Sequence, residues 1–314
     1  MKLAKTTALA FGLATALSSG ALAADAGSCK EVTFSDVGWT DITATTATAS
    51  VLLEALGYEP STEILSVPVT YASLKSGDID VFLGNWMPTM EADIAPYRED
   101  GSVVTLVTNL EGAKYTLAVP KYTFDKGLQS FADIAKFKDQ LDGKIYGIEA
   151  GNDGNRLILD MIAGDQFGLA GFEVVESSEA GMLSAVKKAA GSKEDIVFLG
   201  WEPHPMNANV EMAYLSGGDD VFGPNYGGAT VHTNVRKGLV EECPNLGKLL
   251  TNLVFSLKME NEIMGAILDE GKDPADAATA WLKANPDAVA PWLDGVTTLD
   301  GGDAMAAVKS SLGM

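Results

Sequence analysis

The sequence is poor in the residues on which most enzymes and metal sites depend. Its 314 residues include two cysteines, Cys29 and Cys243, and two histidines, His204 and His232. Neither histidine has a second ligand at the spacing of a zinc site, so both are expected to be structural. The G-x-S-x-G, Walker A and H-E-x-x-H motifs are also missing. We therefore predict no catalytic residue, no metal site and no cofactor.

Positive charge is scarce as well. Lysine and arginine together number 22 against 43 aspartates and glutamates, which gives a net charge of −21. Such a balance argues strongly against a nucleic-acid partner and weakly against an anionic ligand, because the overall field repels both. A neutral or cationic ligand is expected.

The longest apolar run of the sequence is N-terminal and too short to cross a bilayer. Lys2 and Lys5 precede an apolar stretch that ends in Ala21-Leu22-Ala23, a pattern typical of a signal peptide over residues 1–23. Cleavage after Ala23 would remove both lysines and take the net charge to −23. No later segment approaches 18 uncharged apolar residues. In an oxidising compartment an even cysteine count favours one disulfide, with two buried free thiols as the alternative.

One short motif occurs twice. The stretch 81–88 reads Val-Phe-Leu-Gly-Asn-Trp-Met-Pro, and 197–203 reads Val-Phe-Leu-Gly-Trp-Glu-Pro. Each apolar run predicts a buried strand that glycine releases into a loop carrying Trp86 or Trp201. Because open α/β sheets bind ligands at the carboxyl ends of their strands, the two loops predict an aromatic cleft. A chance match between two core tryptophans is the alternative.

Strands alternate with helices along the whole chain, which indicates an α/β fold with a parallel sheet. The predicted strands are 32–34, 64–67, 79–83, 103–107, 115–119, 144–149, 172–175, 196–199, 210–215 and 229–232. Asp41 is the predicted N-cap of the first long helix, and Asp273 that of a late one. The order of strand, turn, helix, strand, helix and tryptophan strand recurs, which predicts two similar lobes. The late helices are expected to complete the first lobe.

Three aromatic residues fall in predicted loops or at strand ends, namely Trp39, Trp86 and Trp201, and a fourth, Tyr115, lies near the predicted first crossing between the lobes. Packing in the core is the alternative reading for them, and it is the expected role of Trp281 and Trp292. Aromatic faces are the best enclosure for a quaternary ammonium group, which has no hydrogen to donate. Asp41 and Asn152 would then hold the other end of such a ligand.

Several motifs together resemble the glycine betaine/choline/proline family of ABC-transporter substrate-binding proteins, and within it the choline binders. The motifs are Gly38-Trp-Thr-Asp41, Gly84-Asn-Trp-Met-Pro88, Lys114-Tyr115, Gly151-Asn-Asp-Gly154, Gly200-Trp-Glu-Pro-His204 and Ala280-Trp-Leu-Lys-Ala-Asn-Pro286. They cover essentially all of the chain beyond the predicted signal peptide.

The resemblance implies a two-lobed periplasmic substrate-binding protein fold of type II, with two crossing strands and the ligand in the interlobe cleft. Lobe I would comprise residues 24–111 and 210–314, and lobe II residues 112–209. Trp39 and Trp86 from lobe I, with Tyr115 and Trp201 from lobe II, would box the trimethylammonium group of choline. Asp41 and Asn152 match positions that bind the choline hydroxyl, and Cys29 and Cys243 match a disulfide of the choline binders.

The predicted protein is a periplasmic monomer that delivers choline to a membrane permease driven by a cytoplasmic ATPase. Asp41 favours choline over glycine betaine, because a betaine carboxylate would be repelled by it. Glycine betaine or another quaternary ammonium ligand is the alternative, since some betaine binders place a histidine like His204 near the carboxylate. An exported enzyme acting on choline esters and a receptor-type sensor are further alternatives.

Overall fold

The structure, a computed structural model, describes residues 25–314. The predicted signal peptide, residues 1–23, lies outside the described residues. Within residues 25–314, no helix combines the length and the apolar composition needed to cross a membrane.

The described residues form a nine-stranded sheet with the strand order β2-β1-β3-β9-β4-β7-β5-β6, and β8 pairs with β4 beside this path. The strands are β1 (Glu31–Asp36), β2 (Glu59–Ile64), β3 (Val81–Met87), β4 (Val103–Pro120), β5 (Lys144–Tyr146), β6 (Glu173–Val175), β7 (Phe198–Glu202), β8 (Met212–Tyr214) and β9 (Gly228–Arg236). β1 pairs in parallel with β2 and β3, and β5 pairs in parallel with β6 and β7. The sheet thus has two parallel ends, as predicted for an α/β fold.

Helices connect and cover these strands. They are α1 (Thr40–Ala55), α2 (Val67–Ser76), α3 (Glu91–Glu99), α4 (Lys121–Asp125), α5 (Phe131–Ile134), α6 (Asp153–Ala163), α7 (Glu179–Ser192), α8 (Met206–Asn209), α9 (Asp219–Phe222), α10 (Pro224–Gly227), α11 (Leu239–Glu242), α12 (Pro244–Asn252), α13 (Leu257–Leu268), α14 (Pro274–Ala284), α15 (Pro286–Trp292) and α16 (Ala304–Leu312). As predicted, the Asp273 side chain caps α14 by accepting a hydrogen bond from the Ala275 amide at 2.9 Å.

Two antiparallel strands, β4 and β9, join the two ends of the sheet into a two-lobed molecule. β4 pairs with β9 from Val103 to Lys114 and then with β7 from Lys114 to Ala118. The prediction of two separate strands in this region was wrong, because one 18-residue strand runs through both lobes. Register shifts between β4 and β9 interrupt the ladder, and Gly112 adopts a φ of +77° at one of them. Bulges of this kind bend a strand without ending it.

The lobe boundaries remain a prediction, and the strand pairing favours a change to one of them. β8 pairs with the far half of β4, and Ser216 bridges to Ser130. Phe222 packs against Phe131 with ring centroids 5.8 Å apart. These contacts place residues 212–222 with the elements of lobe II, so a return to lobe I at β9 fits the pairing better than one at residue 210.

The N-terminal segment is fastened to the late helices. Cys29 and Cys243 form the expected disulfide, with an S–S distance of 2.00 Å. The Asp25 carboxylate accepts hydrogen bonds from the amides of Asn245 and Leu246 at the start of α12, at 2.8 and 2.9 Å. Helices α13, α14 and α16 pack on α1. The late helices therefore complete the lobe that contains β1, as predicted.

Two local predictions near the N-terminus were wrong. Asp41 is not an N-cap: Trp39 occupies that position without a side-chain hydrogen bond to the helix, and Asp41 lies in the first turn of α1. The predicted strand at 64–67 lies earlier, as β2, and α2 begins at Val67. β2 is an edge strand whose side chains are mostly exposed, so it lacks the apolar pattern on which the prediction depended.

Candidate functional site

In both tryptophan motifs the strand continues past the glycine, so the prediction that glycine ends the strand was wrong. β3 continues through Gly84 to Met87, and β7 continues through Gly200 to Glu202. A Cβ atom on Gly84 would lie 2.8 Å from the Ile42 side chain, and one on Gly200 would lie 3.0 Å from the Ala118 Cβ. These glycines therefore allow close packing, and the strands keep their direction. Each strand carries its tryptophan to its last residues.

The tryptophans meet around one small cavity. Its lining consists of Trp39, Asp41, Trp86, Tyr115, Ile148 and Trp201. The cavity suits a compact ligand of a few heavy atoms. The structure thus brings five of the six predicted ligand-binding residues around one space.

Tyr115 stands at the centre of the aromatic wall. It lies on β4 directly opposite Trp201 of β7 in the antiparallel register. Its ring centroid is 6.0 Å from that of Trp86 and 6.2 Å from that of Trp201, with interplanar angles of 60° and 83°. The crossing strand therefore supplies the ring that connects the two tryptophan strands.

Asn152 lies behind Tyr115 and is not among the residues that line the cavity. It is the N-cap of α6, where its Oδ1 accepts from the Asn155 amide at 3.1 Å. The same oxygen accepts from the Tyr115 hydroxyl at 2.9 Å, and Nδ2 donates to Asp153 at 3.0 Å. In this conformation Asn152 fixes the Tyr115 ring.

Asp41 is the charged group of the lining. It is 1% exposed, and its Oδ2 accepts a hydrogen bond from Trp86 Nε1 at 3.1 Å. Its other oxygen, Oδ1, is buried and has no hydrogen-bond partner among residues 25–314. An unpaired buried carboxylate oxygen is costly unless a ligand supplies the missing donor. Burial, followed by the negative charge of Glu179, raises the pKa of Asp41 to about 8.

The indole N–H of Trp39, like that of Trp86, already donates a hydrogen bond to a carboxylate. Trp39 Nε1 donates to Glu149 Oε1 at 2.9 Å. Burial is the largest cause of a raised pKa at Glu149, which the hydrogen bond from Trp39 partly offsets. Ile148 adds an aliphatic side chain to the lining. Ile148 and Glu149 were not predicted to belong to the site, because an apolar residue and a glutamate at the end of a predicted strand carry no distinctive signal.

His204 lies beside the site and outside its lining. Its ring packs edge-on against Trp201 with centroids 4.9 Å apart. Nδ1 accepts from the Met206 amide at 2.9 Å, so the proton of the neutral ring is on Nε2, which lies 3.1 Å from Glu179 Oε1. His204 therefore binds a protein carboxylate in this structure. Glu179 was also missed, since a glutamate in the first turn of a helix is common.

Comparison with known proteins agrees with this geometry. The sequence model of one protein family, the substrate binding domain of ABC-type glycine betaine transport systems, matches residues 30–284. The chain belongs to this family. Among curated proteins, the glycine betaine/carnitine transport binding protein of Listeria monocytogenes is 35% identical over 163 residues, which are 52% of this chain and 53% of that protein. Membership in the family makes the chain a substrate-binding component of an ABC importer.

Two solved structures of an ABC-transporter choline-binding protein are similar over nearly the whole chain. The complex with choline is 70% identical, covers 91% of this chain and 99% of its own, and superposes with a TM-score of 0.90. The unliganded semi-closed form, also 70% identical, covers 91% of this chain and 100% of its own, with a TM-score of 0.84. The present structure is therefore nearer to the choline complex in overall shape than to the semi-closed form.

Proposed function

We propose that this substrate-binding protein captures choline in the cavity and delivers it to the permease of an ABC importer. The observation that carries the proposal is the pairing of four aromatic rings with one unsatisfied carboxylate oxygen, Asp41 Oδ1, in the same cavity. Choline has the complementary groups, a quaternary ammonium and a hydroxyl. The choline complex of the 70% identical protein supports the same ligand.

The aromatic rings suit the ammonium end. A quaternary ammonium donates no hydrogen bond, so its attraction to ring faces is not in competition with other donors. Each face contributes about 0.5 to 2 kcal/mol when water is excluded. Trp39, Trp86, Tyr115 and Trp201 are each at most 5% exposed, so the contacts would be made away from water.

The hydrogen-bond donors of the aromatic residues around the cavity are already in use, which argues against a carboxylate ligand. Trp86 Nε1 already donates to Asp41, Trp39 Nε1 to Glu149, and the Tyr115 hydroxyl to Asn152. A betaine carboxylate beside Asp41 would meet a like charge, which costs several kcal/mol in a desolvated site. A choline hydroxyl would instead donate to Asp41 Oδ1. The site therefore favours choline.

Glycine betaine is the second candidate, because one observation favours it. The pKa of Asp41 is raised to about 8 by burial and by Glu179. A protonated Asp41 could donate to a carboxylate, and a zwitterion would then be accepted at lower pH. Lowering the pH is thus expected to weaken choline binding without weakening glycine betaine binding.

The proposal also covers the location, the partners and the lack of enzymatic activity of the protein. We propose a periplasmic protein that is not an enzyme and whose permease is driven by a cytoplasmic ATPase, with a monomer as the working unit. The Cys29–Cys243 disulfide supports an oxidising compartment. Incubation with acetylcholine should release no choline, and release at a rate proportional to protein concentration would revive an exported esterase.

A titration followed by tryptophan fluorescence tests the ligand. The titrants are choline, glycine betaine and 3,3-dimethyl-1-butanol, which has the shape of choline without its charge. Choline should bind most tightly, because it alone combines the cation with a hydroxyl. Equal binding of the uncharged alcohol would contradict the cation–aromatic contacts, and tighter binding of glycine betaine would assign the chain to that ligand.

A further inference from the structure

Helix α1 carries Asp41 in its first turn, yet it has no cap of its own. Its N-cap residue, Trp39, makes no side-chain hydrogen bond to the helix. The first amides of a helix need partners from outside it. Here the partner comes from the opposite end of the sheet: Glu179 Oε2 accepts from the Thr40 amide at 2.8 Å.

The Glu179 carboxylate is held in this position by further hydrogen bonds and by burial. Its Oε1 accepts from the Thr40 hydroxyl at 2.6 Å and lies 3.1 Å from the His204 Nε2 that carries the proton. The residue is 4% exposed and stands in the first turn of α7, where a negative charge is favourable. All three donors converge on one carboxylate, and those of Thr40 come from across the cleft.

Glu149 makes a second contact across the cleft to the neighbouring residue. It follows β5, at the same end of the sheet as β7, and its Oε1 accepts from Trp39 Nε1 at 2.9 Å. Trp39 and Thr40 follow β1, at the other end. Two glutamates of one lobe thus hold two successive residues of the other. Trp39 and Asp41, the residues on either side of Thr40, both line the cavity.

We propose that Glu149 and Glu179 form a closure clamp that caps α1 from the opposite lobe and positions Trp39 and Asp41 around the ligand. This inference rests on the proposed function. Opening the cleft separates Thr40 from Glu179 and returns both to water. The clamp therefore acts on the closed complex: it slows ligand release and leaves the association step and the open protein nearly unchanged.

The two glutamates are expected to differ in their response to substitution. Glu179→Gln loses the charge and one acceptor oxygen where three donors converge. Glu149→Gln keeps an amide oxygen for Trp39 Nε1, whereas Glu149→Leu removes it. Glu173→Gln is the matched control, because Glu173 is an exposed glutamate of the same lobe.

The experiment is stopped-flow measurement of association and dissociation rates on the mature chain. The ligand is choline or glycine betaine, whichever binds the wild-type chain more tightly. Glu179→Gln should raise the dissociation rate roughly 10- to 100-fold, as expected for a buried hydrogen bond to a charged group. Glu149→Leu should raise it roughly 3- to 10-fold, as for a single hydrogen bond. Glu173→Gln should stay near wild type, and Glu149→Gln should raise the dissociation rate less than Glu149→Leu does. The unliganded Tm should stay within about 4 °C of wild type in all four.

A double-mutant cycle keeps the test independent of folding effects. Thr40→Val removes the hydroxyl donor while keeping the backbone amide and the side-chain shape. If the clamp exists, Thr40→Val and Glu179→Gln affect the dissociation rate non-additively. Additive effects, or a wild-type dissociation rate in Glu179→Gln, would overturn the clamp while leaving choline binding intact. A wild-type chain that binds neither ligand would overturn the proposed function and the clamp together.

Discussion

The two tryptophan strands, β3 and β7, share a sequence motif but end in different surroundings. Trp86 donates its indole N–H to Asp41, so its wall of the cavity is polar and acidic. Trp201 packs edge-on against the neutral His204 ring, and no acidic side chain accepts a hydrogen bond from its indole among residues 25–314. Both strands run antiparallel to a crossing strand, β3 to β9 and β7 to β4. The repeated motif therefore provides a tryptophan ring at each strand end, and residues outside the motif determine whether a charged side chain lies next to that ring.

The largest expected effect comes from removing either ring. Trp86→Ala and Trp201→Ala should each weaken choline binding roughly 100-fold, because a desolvated cation–aromatic contact and apolar burial are lost together. Calorimetric titration measures both.

The phenylalanine variants sharpen the comparison. Phenylalanine keeps an aromatic face and has no N–H. Trp86→Phe should therefore cost more than Trp201→Phe, since it leaves Asp41 Oδ2 without its donor. Equal losses in the two phenylalanine variants would mean that the acidic and neutral walls are equivalent.

The next effect separates the ligands at the acidic wall. Asp41→Asn should weaken choline roughly 10- to 100-fold, in the range of a lost hydrogen bond to a charged group, and weaken glycine betaine less. The pKa of Asp41 in the folded closed form lies above its ordinary 3.8, so the carboxylate destabilises that form increasingly as pH rises from 3.8 toward 8. A greater loss for betaine than for choline would refute the role of Asp41.

A smaller effect is the pH dependence of wild-type binding. Choline needs the ionised Asp41, whose pKa in the closed form without a ligand is about 8. Below that pH choline must displace a proton, and its affinity should fall by up to about tenfold per pH unit. Glycine betaine should bind with flat or rising affinity over the same range. Titrations between pH 8 and 6, compared with the same series in Asp41→Asn, measure the difference; a choline affinity that does not change would contradict it.

The smallest expected effect on affinity lies far from both walls. Replacing Cys29 and Cys243 by serine opens a link across 214 residues of sequence and should lower the free energy of unfolding by about 2 to 4 kcal/mol. The Kd for choline should stay within about twofold, because neither cysteine lines the cavity. Thermal unfolding and titration of the same samples check both parts. A large loss of affinity would mean that the lobes depend on this link for closure.

Residues with distinctive chemistry and local signals made much of the site predictable. Trp86 and Trp201 stand at strand ends, Trp39 and Asp41 stand at the start of a helix, and the Asp273-Pro274 pair marks another helix start by local geometry. The continuity of β4 was not predictable, because bulges interrupt the alternation of apolar residues along a crossing strand.

The glutamates behind the site were not predictable for a different reason. Glu149 and Glu179 are ordinary polar residues in sequence, and their role depends on which residues closure brings against them from the other lobe. Contacts across a cleft join positions 110 and 139 residues apart. No local pattern encodes such a contact. The same holds for the pKa of Asp41, which depends on burial and on Glu179.

The central claim is that the acidic wall at Trp86 selects a ligand with a cation and a hydroxyl over one with a cation and a carboxylate. Its most direct test is competitive calorimetry at pH 8, in which choline is titrated into protein saturated with glycine betaine. The account predicts complete displacement and a Kd for choline at least about tenfold below that for betaine, as follows from like-charge repulsion at Asp41. Betaine that resists displacement, with the lower Kd, would contradict it.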